Sequence, residues 1–377
     1  MQNRTRLSWL FAVLAVLSLF AASCGTSDSE GSDTTTADGG TETTTTVAAD
    51  TSGYADLTGT LNGQGSSFQD TFEQAVSADF GTAVKDAGGD ATVTYTKTGS
   101  SDGKKALADK TVTFAGTDSP IKDEEQASFG DREMLYFPII SGPISLPYNL
   151  KGVDSLNLSA EVIAKIFQVE ITTWNDPAIA ADNPDVTLPD TPITVVHRSD
   201  GSGTTSNFTK WLKAAAPDTW KLDAGEEVSW DGKTQGAEKS TGVTSVIAST
   251  DGAIGYADLS DAAKEDLSVA KVGNASGEFV APTPDSAEAA VAASEVADDL
   301  TYSPLGVDAE GAYPITSPTF ILVDKVQADQ ATADLVKAYL NYVLTTGQAK
   351  AKGLLYAALP SDLAEKAIAQ IDEITVG

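Results

Sequence analysis

Arg198, Asp200, Ser202, Gly203 and Thr204 fall in one short segment, Arg198-Ser199-Asp200-Gly201-Ser202-Gly203-Thr204-Thr205. The β-branched run Ile193, Val195, Val196 before it reads as a strand. Phe208, Trp211 and Leu212 after it have the spacing of a helix's buried stripe. A strand, a Gly/Ser/Thr loop and a helix start present free N–H groups and small hydroxyls at a positive helix end, which is an oxyanion site. Arg198 adds a planar fork of donors, and Asp200, two residues on, can hold that fork in one orientation. Taken alone, the segment is equally well a Gly-rich connection with a surface Arg.

The same chemistry recurs three more times. Gly63-Gln64-Gly65-Ser66-Ser67-Phe68 precedes a segment with Phe68, Phe72, Val76, Phe80 and Val84 on one helical face. Ser67 and Asp70 there have capping-box spacing. Thr98-Gly99-Ser100-Ser101-Asp102-Gly103 follows the strand-like Ala91–Tyr95 and precedes a short helical run, Lys104 to Leu107. Gly116-Thr117-Asp118-Ser119-Pro120 follows the apolar Val112–Ala115. Each loop stands at the carboxyl end of an expected strand, where ligands bind in open α/β sheets. Four such loops in one chain point to an anion site.

In this order the loops resemble those of the phosphate-binding proteins that feed bacterial ABC-type phosphate importers. The matching segments are Gly65-Ser66-Ser67-Phe68, Gly99-Ser100-Ser101-Asp102-Gly103, Gly116-Thr117-Asp118-Ser119-Pro120 and Arg198 to Thr204. Ile171–Pro177, Gly252–Tyr256, Tyr313–Ser317 and Leu354–Pro360 are family-like too, so the resemblance spans about residues 57 to 370. His197 stands where the family frequently has a second Arg. The resemblance implies a two-lobe, periplasmic-binding-protein-like (type II) α/β fold with a ligand cleft between the lobes. It also implies an anion held by the hydroxyls of Ser67, Ser100, Ser202 and Thr204, the N–H groups of Ser66, Phe68, Gly203 and Thr204, and the fork of Arg198. Asp118 accepts a proton that phosphate carries near neutral pH and sulfate lacks. A site built around such a bond rejects the wrong ligand by about 10⁴ to 10⁵. The plainer account of Asp118 is a turn or helix-capping Asp before Pro120.

The chain ends carry a different message. Arg4 and Arg6 precede the apolar stretch Leu7 to Ala22, of signal-peptide length and too short to read as a spanning helix. It closes on Ala21-Ala22-Ser23-Cys24-Gly25, which resembles a bacterial lipobox, with Ala21 where Leu is preferred. Cys24 is the only cysteine, so it has no partner for an internal disulfide. Residues 1–23 are expected as a lipoprotein leader and Cys24 as the acylated first residue. Residues 24–52, almost wholly Ser, Thr, Asp, Glu, Gly and Ala, are expected as a disordered tether.

About 325 residues remain, more than one core usually serves. Strands are expected at 91–96, 111–116, 135–148, 193–197 and 315–323, and helices at 68–86, 159–168, 204–214, 240–249, 328–347 and 361–371, with a surface helix within Pro282–Asp299. The prolines of Met134–Tyr148 favour an edge or crossover strand, with 313–323 as its partner. Lobe one is expected as 53–140 plus 275–377, and lobe two as 141–274.

A formal charge of −30 repels an anion at long range, but exposed charge is screened over about 8 Å at physiological salt. A dry cleft lined by dipoles is screened far less. The same charge excludes nucleic acid as a partner. No Gly-x-x-x-x-Gly-Lys-Ser/Thr occurs, and no His/Cys cluster, so neither an NTPase, a metal nor a cofactor is expected. A hydrolase is the rival class, because His197 lies beside the candidate site. It is the only His, however, and Gly201-Ser202-Gly203 lacks nucleophile-elbow spacing. Within the binder class, sulfate, molybdate and phosphonate are the other oxyanions. The partners expected are inorganic phosphate, permease subunits of the importer and the membrane through the anchor, with the chain itself a monomer.

Overall fold

Alternating strand and helix patterns become two large mixed sheets and two small ones in a computed structural model that describes residues 50–377. The leader, Cys24 and nearly all of the expected tether lie outside the described residues. Eleven strands matter for the site: β1 (Thr58–Gly65), β2 (Asp90–Lys97), β3 (Phe114–Thr117), β4 (Met134–Ser145), β5 (Pro147–Asn149), β6 (Thr194–Arg198), β7 (Gln235–Ala237), β8 (Ala253–Ile254), β9 (Ala257–Asp258), β10 (Ser268–Val269) and β11 (Thr316–Asp324). The first sheet runs β9-β4-β11-β3-β1-β2, and the second runs β10-β5-β8-β6-β7. β1 is parallel to both β2 and β3, while β11 is antiparallel to β3 and β4. In the second sheet β6 is parallel to β7 and β8. The result is a two-lobed α/β fold, and the described residues belong to one compact unit. Among them no helix is long and apolar enough to cross a membrane.

The helix Asp70–Ala87 shows how sequence becomes packing. Phe72, Val76, Phe80 and Val84 are fully buried along its inner stripe. Each contributes about 1.5–3 kcal/mol relative to exposure. Phe80 sits edge-on against Tyr54, Tyr339 and Tyr342. Gly88, at φ +99°, ends the helix in the left-handed conformation that glycine adopts without strain. The Ser67–Asp70 capping box expected at its start does not form. Ser67 lies outside the helix, its hydroxyl facing Ser240 across the site, and the Asp70 carboxylate pairs with Lys97 at 2.9 Å. The other expected helices appear as Ala160–Phe167, Gly203–Ala215, Lys239–Ser249, Pro284–Ala292, Gln330–Leu344 and Ser361–Gln370.

β4 follows the expectation set by its prolines: it pairs along its length with β11, and on its other side only Ile144 and Ser145 meet a strand, the two-residue β9. Pro138 stands beside a register shift, where the ladder is interrupted in any case. The rest of the second side is covered by the C-terminal segment. Gln348 donates to the Ile139 carbonyl (2.7 Å), Gln370 to the Tyr136 carbonyl (2.8 Å), and Ser141 bridges Ala357. At Leu146 the chain then passes from the first sheet to β5 in the second.

Candidate functional site

Strand order reverses at β1, which has β2 on one side and β3 on the other. A reversal of this kind opens a crevice at the carboxyl ends of the strands. Backbones approach closely there. A Cβ on Gly65 (φ +146°) would lie 2.1 Å from the Gly116 carbonyl oxygen, and the Ser66 N–H, expected to face the anion, instead donates to that oxygen at 2.8 Å. Opposite stands the end of β6, where Arg198 begins the loop into the helix Gly203–Ala215. A Cβ on Gly203 would meet Ser100 Oγ at 2.5 Å and Asp118 Cβ at 2.8 Å. Only glycine lets this helix start seat against both. Helices beginning at Asp70, Ser100, Gly203 and Lys239 all follow loops of the site, so positive dipole ends gather around it.

Asp118 is the centre of the arrangement and is 1% exposed. Its Oδ1 accepts from Ser66 Oγ at 2.6 Å and from Thr319 Oγ1 at 2.9 Å, and its Oδ2 accepts from Thr204 Oγ1 at 3.1 Å. Its own N–H donates to Ser100 Oγ at 3.3 Å. Burial pushes the carboxyl up to about 6, opposed by those hydroxyl donors and the charge of Arg198. Arg198 is 4% exposed and donates from Nε to Asp200 Oδ1 at 2.7 Å and from a terminal nitrogen to Asp200 Oδ2. Burial alone would raise the Asp200 carboxyl. The Arg198 bonds and charge, with a bond from the Lys239 N–H, hold it below the usual range. Asp200 is therefore a fixed counter-ion that orients the fork.

The structure thus brings Ser66, Ser100, Gly203 and Thr204 onto Asp118. Ser202 caps its helix by accepting the Thr205 N–H at 3.1 Å. Ser67 Oγ accepts the Ser240 N–H at 3.2 Å, and the Phe68 N–H donates to Ser66 Oγ at 3.0 Å. His197 alternates away from Arg198 on β6, stacked on Trp230 at 4.9 Å with Nδ1 2.9 Å from the Arg198 carbonyl oxygen. Burial lowers its pKa. Its surroundings are those of a packed imidazole.

Several participants carried no motif. Thr319 approaches Asp118 from β11. Tyr256 accepts the Arg198 N–H (3.1 Å) and bonds Thr205 (2.7 Å). Glu226, 2% exposed, accepts from Ser101 at 2.8 Å, from Ser119 at 2.6 Å and from Lys104 at 2.9 Å, while its carbonyl accepts the Ser202 N–H. Burial alone would raise its pKa, but Lys104 and the hydroxyl donors hold it below the ordinary value. This cluster ties the loops after β2 and β3 to the loop after β6. Only Ser101 and Ser119, inside recognised loops, carried any signal. Among the described residues no group of three or more His, Cys, Asp or Glu is placed to hold a metal.

A PBP superfamily domain matches residues 34–346. The phosphate-binding protein PstS of Xylella fastidiosa (strain Temecula1) is 33% identical over 312 residues, covering 81% of this chain and 83% of its own length. Phosphate-binding protein PstS 3 of Mycobacterium tuberculosis (strain H37Rv) is 35% identical over 293 residues, 75% of this chain and 79% of its own. Among solved structures, a high affinity periplasmic phosphate-binding protein bound with phosphate matches with a TM-score of 0.69 at 22% identity, over 83% of this chain and 94% of that one. The last is a likeness of fold; the sequence relatives go further. By the superfamily match and these relatives, the chain belongs to the PBP superfamily and, within it, to the PstS family of phosphate-binding proteins.

Proposed function

We propose that this chain captures inorganic phosphate outside the cytoplasm and delivers it to the permease of an ABC-type importer, acting as a binder and not as an enzyme. The observation that carries the reading is a buried carboxylate, Asp118, set among hydroxyl donors, helix starts and an Arg fork. In a site built for an anion, a carboxylate is a liability unless the ligand brings a proton to it. Phosphate does so near neutral pH and sulfate does not. Ser66, Ser67, Ser100, Ser202 and Thr204, the N–H groups of Phe68 and Gly203, and Arg198 supply the donors. The lobes are 53–140 plus 275–377 and 141–274. The second sheet's residence within 147–269 supports this division, while β9 crosses it by pairing with β4. Leader 1–23, acylated Cys24 and tether 24–52 hold the domain to the membrane's outer face as a monomer. Titration calorimetry of residues 53–377 with phosphate and with sulfate tests the binding claim; equal affinity for the two would end it.

A further inference from the structure

From Asp118 a line of buried polar side chains runs through Thr319 and Gln69 into the helix Asp70–Ala87. Thr319 Oγ1 lies 2.9 Å from Asp118 Oδ1 and 2.5 Å from Gln69 Oε1. Gln69 Nε2 lies 3.0 Å from Glu73 Oε1, and Tyr339 Oη donates to Glu73 Oε2 at 2.5 Å. Gln69 and Glu73 are both fully buried. No part of the binding reading uses Glu73, and a buried carboxyl without a cation is costly when ionised.

Counting protons along the line exposes a shortage. Thr319 has one hydroxyl proton and faces acceptors at Asp118, at Gln69 Oε1 and at the Thr117 carbonyl (3.3 Å). With both carboxyls ionised, one link is left with two acceptors facing each other. A single extra proton completes the line in either of two ways. On Asp118, it donates to Thr319, which donates to Gln69 Oε1, while Gln69 Nε2 donates to ionised Glu73. On Glu73, it donates to Gln69 Oε1 after a half-turn of the amide, Nε2 then donates to Thr319, and Thr319 donates to ionised Asp118. The heavy-atom distances serve both arrangements, since an amide's O and N exchange places by that half-turn.

We propose that Asp118 and Glu73 share one proton along Asp118–Thr319–Gln69–Glu73, which makes Glu73 and Gln69 positioning residues that keep the ligand-site carboxylate ionised and aimed. The proposal rests on the phosphate reading for its consequence: a ligand that brings a proton needs Asp118 as an acceptor, so the proton must reside on Glu73. Burial, opposed by bonds from Tyr339 and Gln69, raises Glu73 to about 7, and Glu73 lacks the cation that Asp118 has in Arg198. The groups facing Glu73 agree. Tyr339 from the helix Gln330–Leu344 and Tyr95 from β2 are neutral phenols pushed far up by burial. Asp70, on Glu73's own helix, is negative and disfavours a charged Glu73. The cations beside these groups are already paired, Lys97 with Asp70 and Arg198 with Asp200.

The test compares wild type, Glu73→Gln and Tyr339→Phe. Glutamine reproduces the neutral acid's donor and acceptor, so it locks the arrangement with Asp118 ionised. The first readout needs no ligand: infrared spectra should show a neutral-carboxyl C=O band in wild type near pH 6 that Glu73→Gln lacks. Its midpoint lies near 7, rises in Tyr339→Phe, which removes a donor to the ionised form, and falls in Asp118→Asn, which removes a like charge. The second readout is the phosphate Kd of wild type divided by that of Glu73→Gln, in which the ligand's own titration cancels. Between pH 6 and 8.5 wild type should weaken about tenfold relative to the variant, a coupling expected of neighbours in one network. Absence of the difference band, a midpoint indifferent to Asp118→Asn, or a flat Kd ratio overturns the shared proton. If neither protein binds phosphate while the band behaves as stated, the phosphate reading fails and the shared proton stands.

Discussion

Replacing Asp118 by Asn separates the two halves of the selectivity argument. Oδ1 of the carboxylate accepts from Ser66 and Thr319, and Oδ2 accepts from Thr204. An Asn keeps the first oxygen and turns an NH₂ toward Thr204, whose hydroxyl can rotate to accept it. The site should therefore keep its shape. Phosphate loses a hydrogen bond to a charged acceptor, a cost of about 1.5–3 kcal/mol. Sulfate, all acceptor, loses a like charge and gains a donor, a change of about the same size and opposite sign. The gap should close by about 3–6 kcal/mol, two to four decades in the ratio of Kd values. A wild-type discrimination of about 10⁴ to 10⁵ then falls to at most about a thousandfold. Calorimetry on protein stripped of bound phosphate by unfolding and refolding measures both arms. A variant that loses phosphate affinity yet still rejects sulfate as strongly as wild type refutes the reasoning. Stability gives an independent check. The folded pKa of about 6 lies above the ordinary 3.8, so proton uptake favours the ligand-free fold below 3.8 and that advantage is lost as pH rises through 6. At about pH 7.5 ionised Asp118 costs the ligand-free fold about 3 kcal/mol, and ligand-free Asp118→Asn should melt above wild type.

Other expectations follow from single contacts. Arg198→Lys keeps the charge but not the fork fixed by Asp200, so phosphate affinity should drop by about 1.5–3 kcal/mol by calorimetry; an unchanged Kd would remove Arg198 from the site. His197→Gln should bind phosphate as wild type does, and neither protein should turn over phosphate esters; activity lost with the imidazole would favour the hydrolase instead. Lys104→Met leaves buried Glu226 with its hydroxyl donors and the more distant, partly exposed Lys122 at 3.6 Å, and denaturant unfolding should register a loss of up to about 3 kcal/mol. Cys24→Ser should move the protein from the membrane fraction to the medium or periplasm with its phosphate affinity intact, whereas retention on the membrane would rule out the acyl anchor.

The ligand loops were legible because their chemistry is local. Gly, Ser and Thr cluster at strand ends, and a Gly-Ser-Gly-Thr run before an apolar helix stripe needs no distant partner to be recognised. What each loop touches was not legible. Thr319, Ser240 and Glu226 reach the site from segments far away in the chain, and Glu226 lies in an irregular stretch with neither period nor motif. β1, the strand at the switch point, was implied only by the loop that follows it and given no bounds, because Gly63 and Gly65 replace the apolar residues that announce a strand. The reason is steric: a Cβ on Gly63 would lie 2.1 Å from the Phe114 ring. For β4 the reading from proline chemistry held, since most of its second side carries no ladder. What it did not reveal is that distant glutamine side chains satisfy that open edge.

That covered edge has a consequence for how the chain reaches its fold. β4 is twelve residues long and apolar through most of its length, the kind of segment that stacks on copies of itself when its edge is bare. The groups that seal it, Gln348, Ala357 and Gln370, are made last, about two hundred residues after β4 emerges. For most of synthesis the strand is present and its guard is not. Pro138, Pro143 and Pro147 then act as gatekeepers, blocking intermolecular ladders during the interval before the C-terminal segment docks. A chain ending before Gln348 should aggregate even though every ligand-loop residue is present, and replacing Pro143 by Ile in the full chain should lower the yield of refolding more than it lowers the stability of the folded state.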